Sequence, residues 1–323
     1  MKKLIPWLKV GVSLGLMVFL LKMKKIDLKD LVMNLKGIDP LYLLLAIGVM
    51  FFIITLASLR WRWCLLPQGI DISTGNCLYY SLIGVFFNNF TPSTVGGDVA
   101  KGFLVGRFSK KNLGTAISIV VDRLVGLVAT GILALLALLV SLNLPLSKTL
   151  KLIILLFTGL VLLLLFLILN KTMACKLVNL LSWLNLTDMA RKINSLSLAL
   201  SKYLNYSSLL KKALVVSLLM QISNVLVSYI LALGLGIKLS FLYFLVFIPL
   251  IMAVMSIPIS FNGLGLREGA FVYFFALAGL SSEKALAISV IYYLVVLMFS
   301  LIGGILLAME SVISRKAKLK EEI

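Results

Sequence analysis

The 323-residue sequence contains no histidine and only three cysteines. Without histidine there is no Ser-His-Asp or Cys-His catalysis, and the usual proton shuttle and commonest metal ligand are missing. Cys64, Cys77 and Cys175 share no C-x-x-C spacing, so neither a disulfide framework nor a zinc site is expected. No nucleotide-binding motif is present, and no cofactor is expected. Acidic residues are also scarce: 12 Asp and Glu stand against 31 Lys and Arg, for a net charge of +19. In a soluble protein that imbalance would suggest nucleic acid. Here 61% of residues are hydrophobic, well above the 45–50% of globular domains. Nucleic-acid binding is therefore set aside. The basic residues are read instead as cytoplasmic-loop charges that meet anionic lipid headgroups.

What the chain has is long apolar runs. A run of about 18 or more apolar residues can span the hydrocarbon of a bilayer. Six segments qualify: roughly 4–21, 40–59, 114–142, 152–169, 213–235 and 286–308. The amino terminus resembles a signal peptide but lacks an A-x-A cleavage site and runs into Lys22, Lys24 and Lys25, so it is read as a retained first helix. Two further apolar regions, about 75–107 and 241–279, are interrupted by TPSTVGGDVAKG and FNGLGLREG. Each has the pattern of a re-entrant hairpin or broken helix pair. Such backbone is tolerated at membrane depth only when buried in protein or lining a wet cavity.

The expected fold is therefore all-α: a polytopic transmembrane bundle with about six crossings and two broken hairpins, forming one integral membrane domain over residues 1–323. The element order of 1–142 recurs in 152–308. Gly96 to Gly102 has the spacing of Gly263 to Gly269, with Pro92 and Pro258 upstream. If each hairpin returns to the side it left, the second half is inverted relative to the first, which is a transporter pattern. Positive charges put both termini in the cytoplasm of a cell membrane. The five lysines of an outer 22–39 loop run against that rule. Residues about 170–212 have helical spacing of apolar positions and read either as amphipathic helices on the inner leaflet or as a linker packed on the bundle.

Charged groups inside apolar segments cost about 2.5–3.5 kcal/mol each on insertion scales, so those retained have a partner or a role. Three groups stand out. Asp98 and Lys101 follow the Gly96–Gly97 pair, which allows a sharp turn or close backbone approach, and Gly102 comes next. They read as a headgroup site, or as a helix cap with a snorkelling lysine. Asp122 and Arg123 lie two turns into an apolar helix. Sequence neighbours point apart on a helix, so each is expected to find its partner elsewhere, as a structural ion pair or as ligands. Arg267 and Glu268 are flanked by Asn262, Gly263, Gly265 and Gly269. A guanidinium grips phosphate in bidentate fashion, which makes Arg267 the leading phospholipid ligand, with an interfacial Arg–Glu pair as the alternative. Asn88 and Asn89 are equally ligands or interhelical glue. Arg60 and Arg62, between tryptophans, read as interface anchors.

The stretches TPSTVGGDVAKGFLVGR, VVDRLVGL and PISFNGLGLREGAF, in that order, resemble the signatures of the lysylphosphatidylglycerol synthase transmembrane-region family, flippase-like proteins also designated UPF0104. The resemblance implies a membrane unit that moves aminoacylated phosphatidylglycerol or another phospholipid between leaflets. In two-part relatives lysyl transfer resides in a cytosolic domain that follows the membrane part. This sequence ends soon after its last apolar run, so enzymatic activity of its own is not expected. An alternative is a lipid-headgroup transferase, which would need Asp98, Asp122 and Glu268 to converge. Another is an anchor for a separate soluble synthase. A homo-oligomer is compatible with all three.

Overall fold

The computed structural model describes residues 28–91, 96–141, 205–255 and 263–321, with isolated positions outside those stretches. The described residues fold into nine α-helices and one 3₁₀ turn. They are α1 (Leu28–Lys36), α2 (Pro40–Leu65), α3 (Thr74–Phe90), α4 (Gly96–Ser109), α5 (Asn112–Ser141), α6 (Ser207–Gly234), α7 (Phe241–Met255), α8 (Leu266–Ala276) and α9 (Ser282–Glu321).

Four of these are long and apolar enough to cross a membrane: Pro40–Gln68, Asn112–Ala137, Ser207–Gly234 and Ser282–Met309. They correspond to four of the six expected crossings. The other two, 4–21 and 152–169, lie outside the described stretches, as do Asn262 and most of 170–212. Residues 207–212, at the edge of the expected inner segment, form the first turns of α6, and the 22–39 stretch carries the helix α1.

Both interrupted regions are helix–break–helix units. α3 and α4 have 17 and 14 residues, and α7 and α8 have 15 and 11. Each arm falls short of the roughly 20 residues a crossing needs. The first hairpin returns to its starting end, because the Lys111 ammonium after α4 donates to the Gly69 carbonyl before α3 at 2.8 Å. Its arms pack closely: a Cβ on Gly97 would sit 2.0 Å from the Gly84 carbonyl oxygen. The Gly97 N–H donates to Asn88 Oδ1 at 2.8 Å, which ties the two arms together.

The longest interhelical packing joins α2 to α6, and the two run antiparallel. The Asp39 N–H at the start of α2 donates to the Gly234 carbonyl at the end of α6. Near the other end Arg60 of α2 reaches Ser217 of α6, and the Tyr203 hydroxyl donates to the Cys64 carbonyl at 2.7 Å. Burial raises the Tyr203 phenol above its ordinary range. Around this pair the helix contacts follow a rule. Exchange α2, α3, α4 and α5 for α6, α7, α8 and α9, and each helix contact within this set of eight maps onto another or onto itself, while the α1–α9 contact stands outside the rule. Thus α3 packs on α9 as α7 packs on α5, and α4 packs on α5 as α8 packs on α9. Each hairpin thus packs its first arm on the last helix of the other group of four and its second arm on the last helix of its own group. At α9 this depends on small residues, since a Cβ on Gly303 would lie 2.0 Å from the Leu82 carbonyl oxygen of α3.

The core lies where α6, α7, α8 and α9 converge. Phe244, Phe247, Phe271 and Phe275 are buried there, with the Phe244 and Phe275 rings 4.8 Å apart. Outward positions such as Leu44, Phe52, Phe103, Leu301 and Ile305 are exposed and apolar. In water that would be an aggregation liability. In a bilayer it is the lipid-facing belt.

Candidate functional site

Five charged side chains line one cavity of about 290 Å³: Arg60, Asp98, Lys101, Asp122 and Arg123. Three helices bring them together. Arg60 comes from the last turns of α2. Asp98 and Lys101 lie on the first turns of α4, because the Gly84–Gly97 approach pulls that end of the hairpin into the bundle. Asp122 and Arg123 come from α5, about three turns beyond Lys111, or ~16 Å along the helix.

Asp122 takes two hydrogen bonds from Arg60, Nε to Oδ1 at 2.7 Å and Nη2 to Oδ2 at 3.0 Å, and the third guanidinium nitrogen donates to Ser217 at 3.0 Å. This forked geometry is the strong form of a charge-assisted pair. Asp98 is shared. The Lys101 ammonium approaches its Oδ1 at 2.9 Å, and the Arg123 guanidinium binds its Oδ2. Lys101 also lies over the Trp61 ring, 4.7 Å from its centroid, and Trp61 is fixed by donating from Nε1 to Ser118 at 3.2 Å. As sequence-neighbour geometry requires, Asp122 and Arg123 bind different partners on different helices. Asn88 and Gly97 line the same cavity. Asn89 is buried beside it, donating to the Val85 carbonyl at 3.1 Å.

A second cavity of about 310 Å³ adjoins the first through Asp98. Its other walls are mostly apolar: Val99, Phe103, Ala116 and Ile119, with Gly102 and Asn112. Val99 and Phe103 are also exposed on the outer surface of the bundle. A charged chamber thus opens beside an apolar groove that reaches the lipid-facing side.

Arg267 and Glu268 line neither cavity. They are 2% and 1% exposed and pair with each other at the start of α8. The other Glu268 oxygen accepts the Gly265 N–H at 2.7 Å, closing the helix start. Arg267 Nε reaches Ser289 of α9 at 3.3 Å, and its guanidinium carbon lies 4.4 Å from the Tyr293 ring centroid. Gly263 and Gly265 adopt φ of +77° and +81°, a left-handed backbone suited to glycine. A side chain on Gly269 would meet open space. The residues expected to act together therefore divide. Asp98, Lys101, Asp122, Arg123 and Asn88 share one cavity, and Arg267 and Glu268 lie in a separate buried cluster. Glu268 does not join Asp98 and Asp122, so the three carboxylates do not converge as a transferase would require.

Arg60 is the cavity-lining residue that sequence reasoning passes over. Flanking tryptophans make it look like an interface anchor. The available signal was an unpaired acid at depth: Asp122 needed a cation from another helix, and Arg60 precedes the end of the only earlier long crossing containing arginine.

Residues 7–304 match the family described as Lysylphosphatidylglycerol synthase TM region. A UPF0104 membrane protein of Methanothermobacter thermautotrophicus is 32% identical over 91 residues, covering 28% of this chain and 27% of that protein. The aligned stretch thus spans about a quarter of the curated relative. No solved structure matches the chain. The family match extends over nearly the whole length, and the chain belongs to that family of membrane proteins.

Proposed function

We propose, from this membership and the geometry of the first hairpin, that the protein moves phospholipid between the leaflets of the cell membrane. The observation that carries the reading is the charged cavity among apolar helices, with a mostly apolar groove beside it that shares Asp98. A phospholipid has the same two parts. Its headgroup would enter the chamber formed by Arg60, Asp98, Lys101, Asp122 and Arg123, with Asn88 as a neutral hydrogen-bonding group. An acyl chain would lie along Val99, Phe103 and Ile119. Shielding the headgroup from hydrocarbon removes most of the barrier to crossing, since an unsolvated charge at the bilayer centre is costly.

In this reading the chain is one membrane unit with six crossings, 4–21 and 152–169 supplying the two outside the described stretches, and both termini are cytoplasmic. The halves form an inverted repeat. The antiparallel α2–α6 pair and the exchange rule in helix contacts support this. Rocking one half against the other would alternate access to the headgroup chamber. Arg267 and Glu268 hold the second hairpin to α9 while the first hairpin carries the load.

The test is a dithionite quench of fluorescent phospholipid in proteoliposomes. Wild-type protein is expected to expose inner-leaflet probe to the reductant, and a Lys101→Ala/Arg123→Ala double variant of equal folding is expected to return to the protein-free rate. Wild-type rates in the double variant would refute the reading.

A further inference from the structure

Trp61 lines neither cavity. It is fully buried, in a cluster with Cys64, Cys77, Val105 and Val121. One face of its ring nevertheless meets the site, because the Lys101 ammonium lies over it, 4.7 Å from the centroid. A ring that faces a cation must be held in its own plane, and here it is. The indole N–H donates to Ser118 Oγ at 3.2 Å, and the Ser118 hydroxyl donates to the Thr115 carbonyl at 2.7 Å. A hydroxyl has one proton. With that proton committed to Thr115, the Ser118 oxygen is left to accept from Trp61. Ser118 and Thr115 are fully buried as well. The relay of Thr115, Ser118, Trp61 and Lys101 joins α5, α2 and α4 through direct contacts.

Lys101 thus has two partners of different kinds. Asp98 Oδ1 lies 2.9 Å from its ammonium. A carboxylate and a phosphodiester compete for the same N–H donors, so an incoming headgroup draws the ammonium off Asp98. An indole face is neutral and does not compete. It attracts the cation through the ring quadrupole, whichever acceptor the N–H groups meet. Without the ring, an ammonium on a flexible four-carbon stem is free to settle wholly on Asp98. The attraction is strongest where water is excluded, and the Lys101 side chain is only 12% exposed. We infer that Trp61 is a positioning residue for headgroup binding: its ring face keeps the Lys101 ammonium at the chamber wall while that ammonium exchanges Asp98 for a phosphodiester. The inference rests on the lipid-moving reading for the identity of the ligand. Arg60 and Trp61, adjacent on α2, then divide the work. Arg60 fixes Asp122 of α5, and Trp61 fixes Lys101 of α4.

The experiment replaces Trp61 of the full chain by mono-, di- and tetrafluorotryptophan through nonsense suppression. Fluorine drains negative potential from the ring face while the shape and the N–H stay in place. Binding of dihexanoyl phosphatidylglycerol is read by calorimetry in detergent, with inorganic phosphate titrated in parallel. Movement of fluorescent phosphatidylglycerol is read by dithionite quench in proteoliposomes. The lipid Kd is expected to rise stepwise with fluorination, by about tenfold over the series, and the rate of lipid movement to fall with it. In a Lys101→Met chain binding is weaker and no longer depends on fluorine, which separates the role from packing. A constant Kd across the series, or the same trend in Lys101→Met, overturns the positioning role and leaves lipid movement standing. Fluorine-graded binding by a chain that moves no lipid overturns the lipid-moving reading and leaves Trp61 in its role. Phosphate binding as tight as the lipid, with the same fluorine dependence, overturns the lipid as ligand. Absence of saturable binding of either probe to the wild-type chain overturns both the headgroup site and the role of Trp61.

Discussion

The two interrupted hairpins occupy equivalent places in the bundle and use their polar residues in opposite ways. In the first half Arg60 of α2 binds Asp122 of α5, and Arg123 of α5 binds Asp98 at the start of α4. In the second half Asn224 of α6 accepts from Tyr292 of α9 at 2.9 Å, and Tyr293 of α9 lies against Arg267 at the start of α8. The helices correspond one to one, and so do the links between them. The first set is ionic and surrounds a cavity. The second is neutral except for Arg267 and Glu268, which neutralise each other in a dry interior. The lesson is that two similarly packed hairpins need not use charge alike: among the described residues the first keeps it beside a cavity, and the second buries it as a closed pair.

Breaking the second cluster should have the largest effect on folding. Glu268→Ala leaves the Arg267 guanidinium buried without its charge partner and opens the α8 start. A loss of about 3–5 kcal/mol is expected, seen as unfolding at much lower denaturant in detergent. Asp122→Ala strands Arg60 in the same way, but beside a cavity that admits water. The loss should fall at or below the low end of that range, about 3 kcal/mol, and an Arg60→Leu/Asp122→Leu double variant should recover most of it. Third in size is Gly303→Ala, which places a methyl against the α3 backbone where no side-chain rotation relieves it. About 1–3 kcal/mol is expected from overpacking, with weakened contact between the halves read by thermal unfolding. Smallest is Arg123→Ala. The side chain is 44% exposed, and loss of its bond to Asp98 should cost less than about 1 kcal/mol. Its effect on lipid movement should nonetheless be severe. That separation of stability from transport is what distinguishes the first cluster from the second.

Much of this arrangement was legible in the sequence. Long apolar runs fix crossings because a bilayer leaves no alternative, and α2, α5, α6 and α9 appear where hydropathy put them. The breaks were legible for a similar reason: Gly96–Gly97 and Gly263–Gly265 are placed where the backbone must approach closely or turn left-handed. Partnership was not legible. Nothing in a string of residues says which helix face meets which, so Arg60 passed for an anchor and its bond to Asp122 went unseen. Arg267 was the strongest phosphate ligand by chemistry alone. Its neighbour Glu268 and Ser289 of α9 accept from that guanidinium internally, which depends on how α8 starts and packs and not on residue type.

The most direct test of the central contrast is water access at the two hairpins. In a chain with Cys64, Cys77 and Cys175 replaced by alanine, single cysteines at Ser81 or Asn88 in the first cavity and at Ser289 beside Arg267 would be exposed to a membrane-impermeant methanethiosulfonate in intact proteoliposomes. The cavity positions are expected to react and Ser289→Cys to stay protected until the protein is denatured. Equal labelling of both hairpins, or protection of the first, would contradict the account.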